Sequence, residues 1–330
     1  MRGIAQSLKG LLGAEPRKQK TEELTPAAQE MHAWKRQPEQ RKERIKLIQE
    51  EMAEPKLSFT HKSFKWRKWR WTSIILINLM FVVSYYYDVQ LVEGALTASR
   101  FVGFHMADLN SALQITLAHK AIVINLVIGT ATVGILWWLV GGRSFCSWAC
   151  PYHLVSEIAE MLHIWLAGHG WIKDHPLDRR MRTVLYVVFA LLAFGTGYTV
   201  FESISPVGIL SRALIYGAGV AMTWVGVLLF IEIFLIRRFW CRYVCPIGMT
   251  YGFLGSVSPV VVEYTLETCL HEGECRQVCM VPHVLAMTIK GRAEDTAMSI
   301  GADCTRCGMC LEACPTGALN FKIRGTGGLL

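Results

Sequence analysis

The spacing of the cysteines constrains this chain more than any other feature of its sequence. All eleven cysteines fall into four tight groups within 330 residues. Such a number is too sparse for the disulfide framework of a small secreted domain, whereas grouped thiols that stay reduced are typical of metal ligands in a reducing compartment. The groups are Cys146/Cys150, Cys241/Cys245, Cys269/Cys275/Cys279 and Cys304/Cys307/Cys310/Cys314.

The last group has the most specific pattern. The stretch "CTRCGMCLEACP" (304–315) has the C-x2-C-x2-C-x3-C-P spacing of bacterial iron–sulfur sites. In that pattern three thiolates surround one cubane, and the fourth ligates a neighbouring cluster. Zinc sites favour two separated cysteine pairs instead, so the spacing indicates an iron–sulfur module.

An incomplete copy of the same pattern precedes it. The stretch "CLHEGECRQVC" (269–279) keeps three cysteines, but Glu272 stands where the second cysteine belongs and Met280 replaces the usual proline. Because the fourth cysteine of each motif crosses to the other site, one complete [4Fe–4S] cluster is predicted. Its ligands would be Cys304, Cys307, Cys310 and Cys279. The second site keeps three thiolates, those of Cys269, Cys275 and Cys314.

Three outcomes are open for this second site. It could hold a [3Fe–4S] cluster, hold a [4Fe–4S] cluster with one non-cysteine ligand, or be empty. Glu272 and His271 are the nearest non-cysteine candidates in the sequence. We favour a cluster with a modified iron site. A carboxylate is a harder ligand than a thiolate, so an iron held by Glu272 should be more labile.

The two remaining groups form a repeat. The stretches "RSFCSWACP" (143–151) and "RFWCRYVCP" (238–246) share an arginine, two aromatic positions and a final Cys-Pro. Cysteines four residues apart lie on one face of a helix, so two such motifs at matching depth would bring four thiols together. The duplication favours a metal or redox site over small residues at helix ends. Whether Cys146, Cys150, Cys241 and Cys245 hold one cluster or act as redox thiols stays open at this point.

Hydropathy predicts a membrane protein. The chain is 52% hydrophobic with a mean hydropathy of +0.31, and four apolar runs have the roughly 20 residues that a bilayer-spanning helix needs. The predicted fold is an α-helical integral membrane protein with two hairpin-plus-C-x-x-x-C-P repeats and a C-terminal α+β ferredoxin-type module. The predicted spans are 71–92, 121–140, 183–201 and 213–236. The predicted domains are a polar basic extension (1–65), a four-helix transmembrane domain (66–260) and an iron–sulfur domain (261–330).

Charge predicts how the chain would be oriented. Lys and Arg residues flank the spans on the side of both termini, which predicts a multi-pass protein of the bacterial inner membrane with both termini and all thiols in the cytoplasm. The formal charge of +8 is then explained by these loops. No aromatic-basic RNA-binding motif stands out, so nucleic acid is not an expected partner.

These features together resemble the NapH/MauN family of ferredoxin-type membrane proteins over about residues 66–322. "PHVL" (282–285) and "FESISPVGILSRALIYG" (201–217) also resemble stretches of that family. The resemblance implies a quinol dehydrogenase subunit. Such a subunit would take electrons from the membrane quinol pool and pass them to a ferredoxin-type or cytochrome partner of a respiratory or periplasmic reductase or dehydrogenase system. The incomplete first motif and the N-terminal extension depart from the family.

Quinol oxidation also needs groups that accept protons, and two acids near the predicted spans are candidates. Glu202 begins an external turn, and Glu232 lies inside the fourth span. The alternatives are a capping or solvated acid for Glu202 and, for Glu232, an ion pair with Arg237 and Arg238. Two rival functions share the motifs. One is a CcoG-like metal reductase or cofactor-assembly factor, and the other is a non-catalytic iron–sulfur membrane anchor or redox sensor.

Overall fold

The apolar runs fold into helices, and short strands form two antiparallel three-stranded sheets. The computed structural model describes residues 2–15, 24–53, 65–87, 92–101 and 104–324. The α-helices are α1 (Arg2–Leu11), α2 (Pro26–Trp34), α3 (Pro38–Ala53), α4 (Lys65–Tyr86), α5 (Leu109–His119), α6 (Ile124–Val140), α7 (Ser144–Trp148), α8 (Pro151–Gly168), α9 (Arg180–Thr196), α10 (Val200–Ile204), α11 (Pro206–Tyr216), α12 (Met222–Phe234), α13 (Ile247–Val257), α14 (Glu274–Gln277) and α15 (Met309–Ala313). The strands are β1 (Val92–Ala95), β2 (Ala98–Phe101), β3 (Phe104–Ala107), β4 (Val260–Thr265), β5 (Ala297–Ser299) and β6 (Leu319–Ile323).

The prediction of four transmembrane helices is wrong. Within the residues that the structure describes, no helix combines the length and the apolar character needed to cross a bilayer. Helices α6 and α9 have 17 residues each and α12 has 13, which is below the roughly 20 that a crossing needs. Helix α4 has 22 residues but begins with the basic stretch "KWRKWR". The fourth predicted run is interrupted, because α11 ends at Tyr216 and Gly217 turns the chain at φ 95° before α12 begins.

Both C-x-x-x-C-P motifs have the same backbone form. In each, a short helical segment carries the first cysteine: α7 in the first motif, and a π-helix (Trp240–Val244) in the second. The second cysteine is extended, with φ −70° and ψ 118° at Cys150 and φ −66° and ψ 112° at Cys245. A residue before proline avoids the helical region, and proline is favoured at a helix start. The Cys-Pro pair therefore ends one helical segment and leads directly into the next, α8 or α13.

Aromatic side chains form the core beside these motifs. Phe145 stacks on Tyr251 with ring centroids 4.8 Å apart, and Phe201 stacks on Trp240 at 6.1 Å. All four rings are 5% exposed or less. Aromatic side chains bury large apolar areas in defined orientations, so these pairs fix the cysteines that are their neighbours in sequence.

The C-terminal part is built on a sheet in which β4 lies between β5 and β6. Its register pairs Val262 with Phe321 and Tyr264 with Met298. The inner face of this sheet packs on a core that contains the buried side chains of Leu266 and the 3-10 helix Pro282–Thr288. The cysteines of the last two groups join the same core, so the sheet supports both thiol-bearing loops.

The N-terminal extension packs on both parts of the chain. Ser7 accepts a hydrogen bond from the amide of Ala302 at 2.6 Å, and the carbonyl of Leu11 accepts one from Arg182 at 3.0 Å. Farther along, Lys35 donates to the carbonyl of Cys269 at 2.6 Å. Helices α1 and α2 thus connect the helical part to the iron–sulfur module.

Gly142 lies where the chain after α6 approaches α13 closely. It lies at φ 69° just before the first C-x-x-x-C-P motif, and an added Cβ would meet the backbone amide of Gly255 and, at 2.6 Å, the carbonyl of Tyr251. Gly142→Ala should lower the free energy of unfolding by more than the roughly 1–2 kcal/mol that a left-handed φ alone costs an L-residue. Urea denaturation followed by circular dichroism measures this.

Gly170→Ala is the matched control, because Gly170 also has a left-handed φ of 77° but nothing lies within 4 Å of its added Cβ. It should show the conformational cost alone. Equal losses for the two variants would contradict the close approach of α6 and α13 at this point.

Candidate functional site

The structure brings the four cysteines of the repeated motifs together around one cavity of about 240 Å³. They are Cys146, Cys150, Cys241 and Cys245. Burial, together with the charge of neighbouring thiolates, raises the pKa of Cys150 well above its ordinary value and the pKa of Cys245 to about 12. Four thiols at one cavity are a donor set for a single iron–sulfur cluster, and their role as ligands stays a prediction.

Positive charge surrounds this cavity. Five arginines line it: Arg143, Arg179, Arg182, Arg238 and Arg242. Among the residues described, the buried Nε of Arg143 and Nη2 of Arg238 have no hydrogen-bond partner. A buried guanidinium nitrogen without a hydrogen-bond partner destabilises the fold. These two atoms therefore indicate that the cavity binds an anionic acceptor. A thiolate-bound cluster is anionic, and the donor set and the arginines both fit it.

Asp303 offsets part of that charge. Its carboxylate accepts a hydrogen bond from Arg143, another from Arg182 at 2.8 Å, and lies 2.8 Å from Nε2 of His283. Burial alone would raise the pKa of Asp303, but Arg143 and Arg182 lower it well below the ordinary value. Asp303 precedes Cys304 directly, so this ion-pair network joins the helical part to the iron–sulfur module.

The four thiols predicted for the complete cluster also lie together. They line a second, smaller cavity of about 10 Å³: Cys279, Cys304, Cys307 and Cys310. The amide of Arg306 donates to Cys304 Sγ at 3.5 Å, and hydrogen bonds of this kind to cluster sulfurs tune their potential. Thr305 and Val281 line both cavities, so a single layer of side chains separates the two thiol sites.

The three remaining thiols surround Tyr264. Burial raises the pKa of this phenol, and charge on Cys269, Cys275 and Cys314 would raise it further. The amide of Ala318 donates to Cys314 Sγ at 3.3 Å. These thiols adjoin the complete site. Burial and the other thiols of the complete site raise the pKa of Cys310, and the charge of Cys275 raises it further.

His271 contacts this third site. Its amide donates to Cys269 Sγ at 3.4 Å, and its Nδ1 lies 3.6 Å from the same sulfur and 2.9 Å from the carbonyl oxygen of Thr288. Burial lowers the pKa of His271 to about 4, so the imidazole is neutral near pH 7. Glu272, which the sequence predicts as a ligand, follows it on the same loop and is half-buried.

Within the described residues, no three His, Cys, Asp or Glu side chains converge closely enough to hold a single metal ion. Ligands of a cubane do not converge on one point, because each thiolate binds a different iron.

Glu202, predicted as a proton acceptor, belongs to a pair of carboxyl groups. Ser111 Oγ donates to Glu202 at 2.6 Å and lies 3.5 Å from the carboxylate of Asp108. Asp108 also accepts a hydrogen bond from Tyr251 OH at 2.8 Å. Burial raises the pKa of both acids, and the charge of Asp108 raises that of Glu202 further.

Sequence reasoning missed Asp108. It caps helix α5, since its Oδ2 accepts from the amide of Asn110 at 3.0 Å. An aspartate before a helix start is the ordinary N-cap residue, so nothing local distinguishes it. Its side chain is only 4% exposed, because α13 packs against α5.

Glu232, the other predicted acceptor, is fully buried. It accepts hydrogen bonds from Ser156 Oγ at 2.6 Å and from the amide of Trp240 at 3.1 Å, and burial raises its pKa. Arg237 and Arg238 form their ion pairs with Glu160 instead. The expected pairing of Glu232 with these arginines is therefore not the arrangement found.

Comparisons with known proteins point the same way as these thiol sites. A family model described as a 4Fe-4S binding domain matches residues 124–169 and 218–260, and a second model of the same description matches 302–320. Each match includes one of the cysteine motifs. No solved structure matches this chain.

Several curated relatives align along most of their length. The methylamine utilization ferredoxin-type protein MauN of Methylorubrum extorquens is 32% identical over 80% of this chain and 91% of its own. MauN of Paracoccus denitrificans is 33% identical over 65% of this chain and 75% of its own. The ferredoxin-type protein NapH of Escherichia coli is 27% identical over 80% of this chain and 93% of its own.

A double variant tests the first cavity. If its four thiols hold a cluster, Cys146→Ser together with Cys241→Ser should lower the iron content of the anaerobically purified chain by about four atoms per chain. Iron and sulfide analysis measures the loss. Cys307→Ser serves as the comparison, because it affects the complete site and should leave the first cavity loaded. Unchanged iron in the double variant, with fewer titratable thiols, would show redox thiols instead.

Asp303→Asn tests the ion-pair network. The variant leaves Arg143 and Arg182 buried beside a neutral side chain, so the free energy of unfolding should fall by about 3–5 kcal/mol. A carboxyl whose folded pKa is lowered stabilises the fold above its unfolded value of about 3.9, and this contribution is lost only as the pH falls from there through the folded value. The difference from the parent chain should therefore be the same at pH 7 and at about pH 5.5.

Urea denaturation followed by circular dichroism gives both values. Asp174→Asn is the matched control, since Asp174 is exposed and the amide oxygen can still accept from the backbone of Arg237. A loss in Asp303→Asn no larger than in this control would show that the network does not hold the two parts together.

Proposed function

This chain belongs to the NapH/MauN family of ferredoxin-type iron–sulfur electron-transfer proteins, and from that premise we propose that it oxidises a quinol and passes the electrons to a partner protein. The oxidation releases two electrons and two protons as the quinol becomes a quinone. A protein that only relayed electrons would need no buried proton acceptor. The observation that carries the proposal is therefore the pair formed by the buried Asp108 and the half-buried Glu202, which Ser111 links and which adjoins the four-thiol cavity.

The carboxyl pair adjoins the cavity through aromatic side chains. Tyr251, which donates to Asp108, stacks on Phe145, and Phe145 lines the cavity next to Cys146. Burial raises the pKa of Cys146, and the charge of Asp108 also raises it, so the two groups sense each other. A proton accepted at Asp108 could pass by way of Ser111 to Glu202, which is only partly buried.

An apolar approach to Glu202 is present. Helix α9 leads into the short α10 that carries Glu202. Leu191 and Phe194 near the end of α9 and Tyr198 in the connection to α10 are exposed. Exposed apolar patches of this kind mark contact sites for apolar partners or ligands. A quinol ring and its tail have the character to bind there, with the hydroxyl groups directed to the carboxyl pair.

The electrons would leave through the thiol sites in series. Thiolate-bound clusters supply one-electron transfer, which divides the two-electron oxidation into single steps. The first-cavity cysteines would hold the centre nearest the quinol, and Thr305 and Val281 bring the complete site to one side-chain layer from it. The third site lies beside the exposed turn 315–317, which offers a partner, a ferredoxin-type protein or a cytochrome, the shortest approach.

We expect a short-chain quinol to bleach the visible absorbance of the anaerobically purified chain, and Asp108→Asn and Glu202→Gln each to slow this bleaching by about 10²-fold. Loss of a positioned proton acceptor typically costs that much. Dithionite delivers electrons without a proton acceptor, so it should bleach both variants at the parent rate. Stopped-flow absorbance measures the two rates.

Glu39→Gln is the control, because Glu39 is exposed on α3 far from the thiols in the sequence. Parent rates in both acid variants would remove the carboxyl pair from the mechanism. A parent chain that dithionite bleaches and quinol does not would overturn quinol oxidation itself. Rapid reoxidation of such a chain by Cu²⁺ or Fe³⁺ would then favour a metal reductase.

A further inference from the structure

The incomplete motif keeps the backbone of the complete one. Two residues after its first cysteine, each motif has a side-chain-bearing residue with a left-handed backbone: His271 at φ 62° and Arg306 at φ 49°. In both, the amide of that residue donates to the sulfur of the first cysteine, at 3.4 Å and 3.5 Å. Left-handed residues other than glycine are uncommon and cluster at functional sites, so the same strain at matching positions indicates a loop shaped for a ligand.

The correspondence continues along both loops. Gly273 at φ 92° and Gly308 at φ 75° occupy matching positions and begin the short helices α14 and α15. Each helix carries the third cysteine of its motif, Cys275 or Cys310. A site that had lost its ligand would have no reason to keep a strained loop, amide-to-sulfur hydrogen bonds at Cys269 and Cys314, and three clustered thiols.

On this matched backbone Glu272 occupies the position of Cys307. The thiol of Cys307 lines the cavity of the complete site, so the equivalent position on the incomplete loop faces the third site. A glutamate side chain is longer than that of cysteine, and its carboxylate is an accepted iron ligand. Glu272 is half-buried, and its Oε1 is shielded from solvent.

His271 is the competing candidate, since its buried Nε2 has no hydrogen-bond partner among the described residues. Its ring, however, corresponds in position to the side chain of Arg306, which turns away from the thiols to the carbonyls of Cys304 and Gly255. Its Nδ1–H donates to the carbonyl oxygen of Thr288 at 2.9 Å, which ties the ring to the 3-10 helix Pro282–Thr288 at a position that carries no ligand in the complete motif.

We infer that Cys269, Cys275, Cys314 and the carboxylate of Glu272 form a second cluster site, in which the iron held by Glu272 is the labile one. No bond forms or breaks in the chain itself. Ferricyanide would take one electron from a four-iron cluster, the iron held by Glu272 would leave as Fe²⁺, and the three thiolates would keep an oxidised three-iron cluster. Added ferrous iron with a reductant would restore the fourth iron. The inference stands apart from quinol oxidation, because dithionite and ferricyanide replace quinol and partner in its test.

The test compares iron content and electron paramagnetic resonance spectra of the anaerobically purified full chain and its variants. Ferricyanide should release about one iron per chain from the parent protein and produce the signal of an oxidised three-iron cluster. Glu272→Cys restores four thiolates, so it should keep its iron under the same treatment and lack that signal. Glu272→Gln, which keeps the shape but loses the anionic ligand, should show the three-iron signal as isolated.

His271→Asn is the matched control, because asparagine tolerates a left-handed φ and the amide-to-sulfur hydrogen bond is retained. It should keep the parent iron content and spectrum. The inference is overturned if Glu272→Gln and Glu272→Cys both behave like the parent chain, or if His271→Asn alone gives the three-iron signal, which would make the imidazole the ligand. Parent iron content in Cys275→Ser would overturn it as well, by showing that the site is empty.

Discussion

The buried carboxylate of Asp303 holds the two thiol-bearing parts of the chain against each other. It receives Arg143 and Arg182 from the helical part and lies beside His283 of the C-terminal part. A carboxylate this deeply buried is stable only when paired, and the arginines would be equally costly without it. The same guanidinium of Arg143 also approaches Cys146, so the interaction that joins the two parts lies at the wall of the four-thiol cavity. Fold and site therefore depend on one set of charges.

Short stretches of sequence encode the rest of the ligand geometry. In each C-x-x-x-C-P motif the proline forces the second cysteine to be extended and starts the next helix. In the C-terminal motifs a left-handed residue and a glycine turn the loop so that amides point at sulfur. Local rules of this kind are readable from sequence, which explains why the grouping of the thiols could be predicted with its residues. The structure places Cys279 with Cys304, Cys307 and Cys310, as the crossed pattern of the motif requires.

Features that depend on contacts between residues far apart in the sequence could not be predicted from local patterns. Run length and hydropathy predicted four membrane spans, but α4 ends at Tyr86, inside the first predicted span, and the turn at Gly217 interrupts the fourth. Asp108 looks like an ordinary helix cap, and its burial follows from the packing of α13, more than a hundred residues later. The expected partner of Glu232 was wrong for a similar reason, since α8 supplies Glu160 to Arg237 and Arg238. The resemblance to the NapH/MauN family, by contrast, is confirmed by the relatives that align along most of this chain.

The distribution of charge bears on the direction of electron flow. Five arginines line the first cavity, and net charge and hydrogen bonds around a cluster set its reduction potential. Positive charge stabilises the reduced form, so a cluster held in this cavity would suit the acceptance of electrons from a weak reductant such as a quinol. The third site is less strongly surrounded, with Lys35 near Cys269 and Arg276 near Cys275 as the nearby cations that act on its thiols. A carboxylate donates less electron density to iron than a thiolate does. A carboxylate ligand at the third site would therefore raise the reduction potential of its cluster, as positive charge does. The arginines around the first cavity and the carboxylate at the third site would then both raise the reduction potential of the cluster beside them. Electrons from a quinol could therefore be accepted at either site.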